Sequence, residues 1–244
     1  MKLIYFFYGI LICFHGLKKN DTNQIHVTYK LLNSSLTTTQ SSNQKVIETL
    51  KGVDKGINEV EFDLFCNTKE SVYKLKKKLQ IDENNIGYKM AVVIGGKGMY
   101  YKNTQEKVKI KQKISQGETF IIKYPYEMYN WTITKETKMI DGYKCYKATS
   151  TIKEYDPIRK RENVFSPEVW FTPEIPYPFG PKGLDGLPGL VLEATFNGKT
   201  IFYADKIDFK CVECNKMIKQ PTKGKEISLE GYLKLQAEIM EERN

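Results

Sequence analysis

Two dipeptides, Asp141-Gly142 and Asn197-Gly198, constrain the fold of this chain more than any other feature. Each lies between runs of alternating apolar and polar residues. That is the pattern of a β-hairpin whose tight turn needs left-handed backbone at its centre. Folding about Asp141-Gly142 pairs Trp131 with Ile152, Ile133 with Ser150 and Thr137 with Tyr146. It puts Met139 and Ala148 on the same face and sets Glu136 opposite Lys147 as a cross-strand ion pair. Folding about Asn197-Gly198 pairs Phe196 with Lys199, Ala194 with Ile201, Leu192 with Tyr203 and Leu190 with Asp205. That mostly apolar face should point into a core, with Glu193, Thr195, Thr200 and Phe202 on the other side. Turn chemistry and alternation agree, which favours antiparallel β-structure.

Further strands follow from the same periodicity. Gln24 to Lys30 alternates, and in Glu59 to Asn67 the residues Val60, Phe62, Leu64 and Cys66 share one face. Glu168 to Thr172 is a short strand inside a proline-rich run from Ser166 to Pro188, whose remainder is an extended loop. Gly95-Gly96, between Ala91–Ile94 and Met99–Tyr101, predicts another hairpin. Residues 69–80 fit an edge strand or a short helix, and the polar stretch from Asn33 to Gln44 is a loop. At the C-terminus Leu229, Tyr232, Leu233, Gln236 and Met240 fall near one helical stripe. Ser228 stands as N-cap, which predicts a helix over about 228–242. Sixteen tyrosines and twelve phenylalanines suit pleated, half-buried surfaces. The expected architecture is one mainly β domain over residues 21–244, a curved antiparallel sheet or incomplete barrel with a C-terminal α-helix.

The formal net charge of +9 is almost entirely lysine; the arginines are Arg159, Arg161 and Arg243. Bidentate recognition of phosphate or guanine favours arginine, and the lysines form no single stripe. No nucleic-acid partner is expected, and the lysines are read as solvated surface. Met1-Lys2 and the apolar run Leu3–Phe14 resemble an export signal, assigned to residues 1–16 with an uncertain cleavage point. Lipidation at Cys13 and an uncleaved anchor stay open. No later run is long enough to span a bilayer, so no mature transmembrane segment is expected. The location is periplasm, cell surface or secreted.

Four cysteines remain beyond that segment: Cys66, Cys145, Cys211 and Cys214. An even count in an oxidising compartment makes all four disulfide candidates, with three possible connectivities. A redox or zinc role for Cys211-Val212-Glu213-Cys214 lacks support. The pair follows a strand, Glu213 disfavours thiolate, and a zinc site needs further ligands. His26 is the sole histidine outside the signal, so no nucleophile–base constellation stands out. Asp185, Glu193, Asp205 and Asp208 are carboxylates whose convergence spacing does not show. No catalytic residue, metal or cofactor is assigned.

The segment Gly183-Leu184-Asp185-Gly186-Leu187-Pro188-Gly189-Leu190-Val191-Leu192-Glu193-Ala194 resembles the signature of the GLPGLI family of Bacteroidota, with valine for the usual isoleucine. Trp131–Ala148, Val169–Thr172, Ile175-Pro176 and Gly180-Pro181 resemble its flanking elements. The resemblance implies an exported protein of unassigned function and transfers no catalytic residue. Physically, Pro188-Gly189 suits a type II turn with glycine at positive φ. Leu190 then begins a core strand, and Gly183 and Gly186 permit close backbone approach. The segment is thus either a packing corner or a rim offering Leu184, Leu187 and Pro188 to an apolar ligand or partner. The expected function is a non-enzymatic carrier of an apolar small molecule. The alternatives are a module docking an envelope protein, and a cysteine-based metal or redox protein.

Overall fold

The computed structural model describes residues 24–33, 52–53, 55–78, 85–156 and 159–242. The export signal, Cys13 and residues 34–44 of the polar loop lie outside them. The first strands, β1 (Gln24–Asn33), β2 (Glu61–Asn67) and β3 (Glu70–Leu75), precede helix α1 (Ile86–Gly95). Then come β4 (Met99–Asn103), β5 (Val108–Ser115), β6 (Glu118–Lys123), β7 (Thr132–Ile140), β8 (Tyr143–Thr149), β9 (Ile152–Asp156), β10 (Arg161–Phe165) and β11 (Glu168–Thr172). After the proline-rich loop follow β12 (Leu190–Thr195), β13 (Thr200–Asp208), the single-turn α2 (Cys214–Met217), β14 (Lys225–Ser228) and α3 (Leu229–Glu241).

Twelve strands form one sheet in the order β14-β6-β5-β4-β3-β2-β1-β13-β12-β11-β8-β7, while β9 and β10 make a separate ribbon. The fold is mainly β, as the alternation requires, and the sheet does not close into a barrel. Its pairings are antiparallel except β14 with β6, which is parallel. Curvature follows from one residue. Asp185 bonds Lys102 of β4 and Lys109 of β5, and its carbonyl accepts from Trp131 just before β7. Asp185 thereby links β4 and β5 to the segment entering β7 at the far end of the sheet order, so the sheet curls around residues 173–189.

The core fills that concavity. Ile25, Val27, Tyr29 and Leu31 of β1 and Phe62, Leu64 and Cys66 of β2 pack with Val169, Phe171, Leu192, Ala194 and Phe202. Ile175, Phe179, Leu184 and Leu187 of the proline-rich loop close over them. Each fully buried side chain of this size contributes about 1.5–3 kcal/mol before entropy. Helix α3 starts at Ser228, whose Oγ accepts from the Gly231 N–H at 3.0 Å. It buries Tyr232 against Phe120 and Ile122 of β6.

Four local expectations are corrected. Ala91–Ile94 is helical. Asn85 Oδ1 accepts from Tyr88 N, and Tyr88, Ala91, Val92 and Gly95 form a buried stripe at helical spacing. Gly96, at φ 106°, ends the helix instead of turning a hairpin. The Asp141-Gly142 hairpin is present with both residues at positive φ, and Thr137 faces Tyr146. A register shift between Ile133 and Thr137 then puts Ile133 opposite Ala148, and Ile152 belongs to the ribbon. At Asn197-Gly198 only Gly198 has positive φ. Asn197 Oδ1 accepts from the N–H groups of Lys199 and Thr200, so the connection is longer than two residues. The register moves by one, Ala194 faces Phe202, and Phe202 enters the core.

The fourth concerns the glycine motif. Gly189 is absent from the positive-φ residues, whereas Gly183 (79°) and Gly186 (93°) adopt the left-handed region. Gly189 is demanded by space: a Cβ there would lie 2.0 Å from the Thr172 carbonyl oxygen. The roles of the glycines are thus exchanged, and Leu190 does begin a core strand.

Candidate functional site

On β4 and β5, residues of one parity face the concavity. Tyr100 stands opposite Lys111, and Lys102 opposite Lys109. The loop after Gly180-Pro181 brings Lys182, Gly183 and Asp185 over them. The β9–β10 ribbon adds Glu154, and the β12–β13 connection adds Phe196. Together with Tyr124, Tyr129 and Phe202 they line a cavity of about 490 Å³. Small-molecule sites run ~300–1,000 Å³.

Two of the five lysines that line it, Lys102 and Lys109, are committed. Lys102 Nζ lies 2.5 Å and Lys109 Nζ 3.0 Å from the two oxygens of Asp185, all nearly sealed from solvent. Lys109 Nζ also donates to the Gly183 carbonyl at 3.0 Å. Tyrosine rings cover both ammonium groups, Tyr126 at 4.3 Å from Lys102 and Tyr129 at 4.8 Å from Lys109. Burial, and then the charge of Lys102, hold Lys109 below the ordinary lysine range against the pull of Asp185.

Lys111 and Lys182 have no carboxylate in direct contact among the described residues. Lys111 Nζ lies 4.5 Å from the Tyr100 ring centroid. Burial, aided by Lys113 and Lys182, pushes Lys111 down to about 7. Lys182 Nζ donates to the Ile94 carbonyl at 2.9 Å and lies 4.8 Å from the Phe196 ring. Burial brings it down to about 8. Glu154 feels both lysines, yet burial and Asp156 hold its carboxyl above the usual carboxylate range. Burial also raises the phenols of Tyr100, Tyr124 and Tyr129. The cavity therefore carries five lysines, Lys199 included, against two carboxylates, with aromatic walls.

The sequence-derived site residues lie elsewhere. Leu184 and Leu187 are 0% and 2% exposed in the core, so neither is offered at a rim, while Pro188 is exposed. Their apolar side chains are what the concavity buries. Asp185, between them, is the residue that reaches the cavity. Gly183 contributes its carbonyl; Gly186, Gly189 and Leu190 shape the loop's return into β12. Cys211 and Cys214 form a disulfide, and Cys214 opens the short α2 as well as following β13. Cys66 and Cys145 are buried free thiols, both raised by burial, Cys145 to about 11. His26 Nε2 sits 2.8 Å from Asp63 and stacks on Phe65, remote from the cavity lining. Glu193 pairs with Lys138 and Asp205 with Lys30. Among the described residues no three His, Cys, Asp or Glu side chains group as metal ligands, and no helix is long and apolar enough to cross a membrane.

Residues 36–232 match the family model described as N-glycanase peptide, N-terminal domain. The chain belongs to this family. Two solved structures of PNGF-II share its fold. One, in a C2 crystal form, has a TM-score of 0.53 at 16% identity and covers 89% of this chain. The other, in a P21 form, has a TM-score of 0.54 at 15% identity and covers 87%. The chain spans 32% and 33% of those proteins. No curated protein matches it. The N-glycanase match overturns the GLPGLI resemblance, because it contains both the hairpin and the glycine motif on which that rested. A proline-glycine corner leading into a core strand is a packing solution open to many sheets. The apolar carrier falls too, since the family is glycanase-related and lysines line the cavity. The lysines were missed as a site. Lys109, Lys111 and Lys113 alternate along β5, a signal that one face of that strand is charged.

Proposed function

We propose that this chain is a carbohydrate-recognition domain that holds part of a glycan in the cavity over β4 and β5. The observation that carries this reading is the cavity's lining. Tyrosine and phenylalanine rings offer apolar faces to a sugar's C–H surface, while lysines and Glu154 offer hydrogen bonds to its hydroxyls. Membership in a family of N-glycanase N-terminal domains supports a glycan over other polar ligands of this size. Calorimetric titration with an N-glycan released from a glycoprotein tests it. Binding that weakens at least roughly tenfold in Tyr100→Ala supports the reading. No heat with any N-glycan, free or peptide-linked, contradicts it.

Glu154 favours a second reading. A carboxyl whose proton burial holds more tightly than usual, inside a cavity, is placed to serve as a general acid. Release of glycan from a glycopeptide by this chain, abolished in Glu154→Gln, would assign it hydrolysis as well as binding.

A further inference from the structure

We infer that the cavity seats the anionic group of an acidic sugar residue, a carboxylate or a sulfate ester, between Lys111 and Lys182. The inference rests on the carbohydrate reading and narrows its substrate class.

Asp185 already engages both Lys102 and Lys109, one oxygen to each, so the lysine pair on that side has a partner in place although one positive charge is left over. Lys111 arrives from β5 and Lys182 from the loop beyond Gly180-Pro181. Both line the same cavity, and Lys182 is near enough for its charge to weigh on Lys111. Their surroundings include the rings of Tyr100, Phe196 and Phe202, one backbone carbonyl, the further lysines Lys113 and Lys199 and, farther off, Glu154. A neutral sugar gives no reason to bury two ammonium groups beside each other. Removing each from water costs several kcal/mol unless an opposite charge meets it. An anion between them supplies that charge and forms charge-assisted hydrogen bonds, which are the stronger kind. The ring faces then hold the apolar surface of the same residue. An acidic sugar presents both chemistries at once; inorganic anions present only one.

The test is calorimetric titration of the full chain near pH 6.5 with matched probes: sialyllactose against lactose for a carboxylate, and sulfated against unsulfated N-acetylglucosamine for a sulfate ester. The expected result is binding at least roughly tenfold tighter for the acidic member of one pair. That preference should vanish in Lys111→Gln and Lys182→Gln and persist in the exposed control Lys107→Gln. Retained weak binding of the neutral probe by the variants shows that they are folded. Equal affinity for acidic and neutral probes overturns the inference and leaves the carbohydrate reading intact. A preference unchanged in both variants overturns the placement. No binding of any sugar, including free N-glycans, removes both.

Discussion

Lys102 and Asp185, 83 positions apart in sequence, meet in a buried 2.5 Å ion pair that ties the glycine-rich loop to β4. Lys109 completes the triad from β5. Asp185→Ala leaves two ammonium groups sealed from solvent without a counter-charge. It should destabilise the domain by about 3–5 kcal/mol. Equilibrium denaturation checks this; a loss below about 1 kcal/mol would mean that both lysines reach water or shed their protons.

Gly189 sets the approach of β12 to β11. Its Cβ site lies 2.0 Å from the Thr172 carbonyl oxygen, which is backbone and cannot step aside. Gly189→Ala should cost about 1–3 kcal/mol by overpacking, whereas Gly142→Ala should cost less. At Gly142 the only burden is a positive φ, with nothing within 4 Å. Melting temperatures of the two variants decide the order.

Stability should rise as pH goes from about 7 toward about 8.5. Lys111 and Lys182 titrate at about 7 and about 8 in the fold, below the ordinary 10.5. In that window the unfolded chain binds more protons, so raising pH favours the native state. The Cys66 and Cys145 thiols act oppositely from about pH 8.5, and Tyr100, Tyr124 and Tyr129 from about pH 10, because the unfolded chain there loses protons that the fold retains. Urea midpoints measured from pH 6 to about pH 8.5 should climb, and less steeply in Lys111→Gln. A flat profile would place both lysines in contact with water. Affinity for an acidic sugar runs the other way and falls as pH rises through about 7, because binding then requires proton uptake.

Alternation made the sheet legible, since Val60, Phe62, Leu64 and Cys66 announce a buried face without knowledge of any partner. Distances along the chain hid the rest. Ala91–Ile94 is apolar whether helix or strand, and only Asn85 and the spacing of Tyr88, Ala91, Val92 and Gly95 distinguish the two. The Asn197 connection turned on a side chain capping Lys199 and Thr200, which alternation does not encode. The cavity was least legible. Lys111 reads as surface until the loop bearing Lys182, more than seventy positions later, is laid over it.

Cysteine accounting offers a simple check. With Cys211 and Cys214 joined, denatured unreduced protein lacking residues 1–16 should show two reactive thiols, Cys66 and Cys145. The native protein should show almost none, because both are buried. Four reactive thiols in the denatured sample would contradict the bridge.

The most direct measurement of the central claim is a two-dimensional amide NMR titration with an N-glycan-derived oligosaccharide. The account predicts perturbations concentrated on β4, β5, residues 180–185 and the β12–β13 connection. Shifts confined to other surfaces, or no shifts at all, would contradict it.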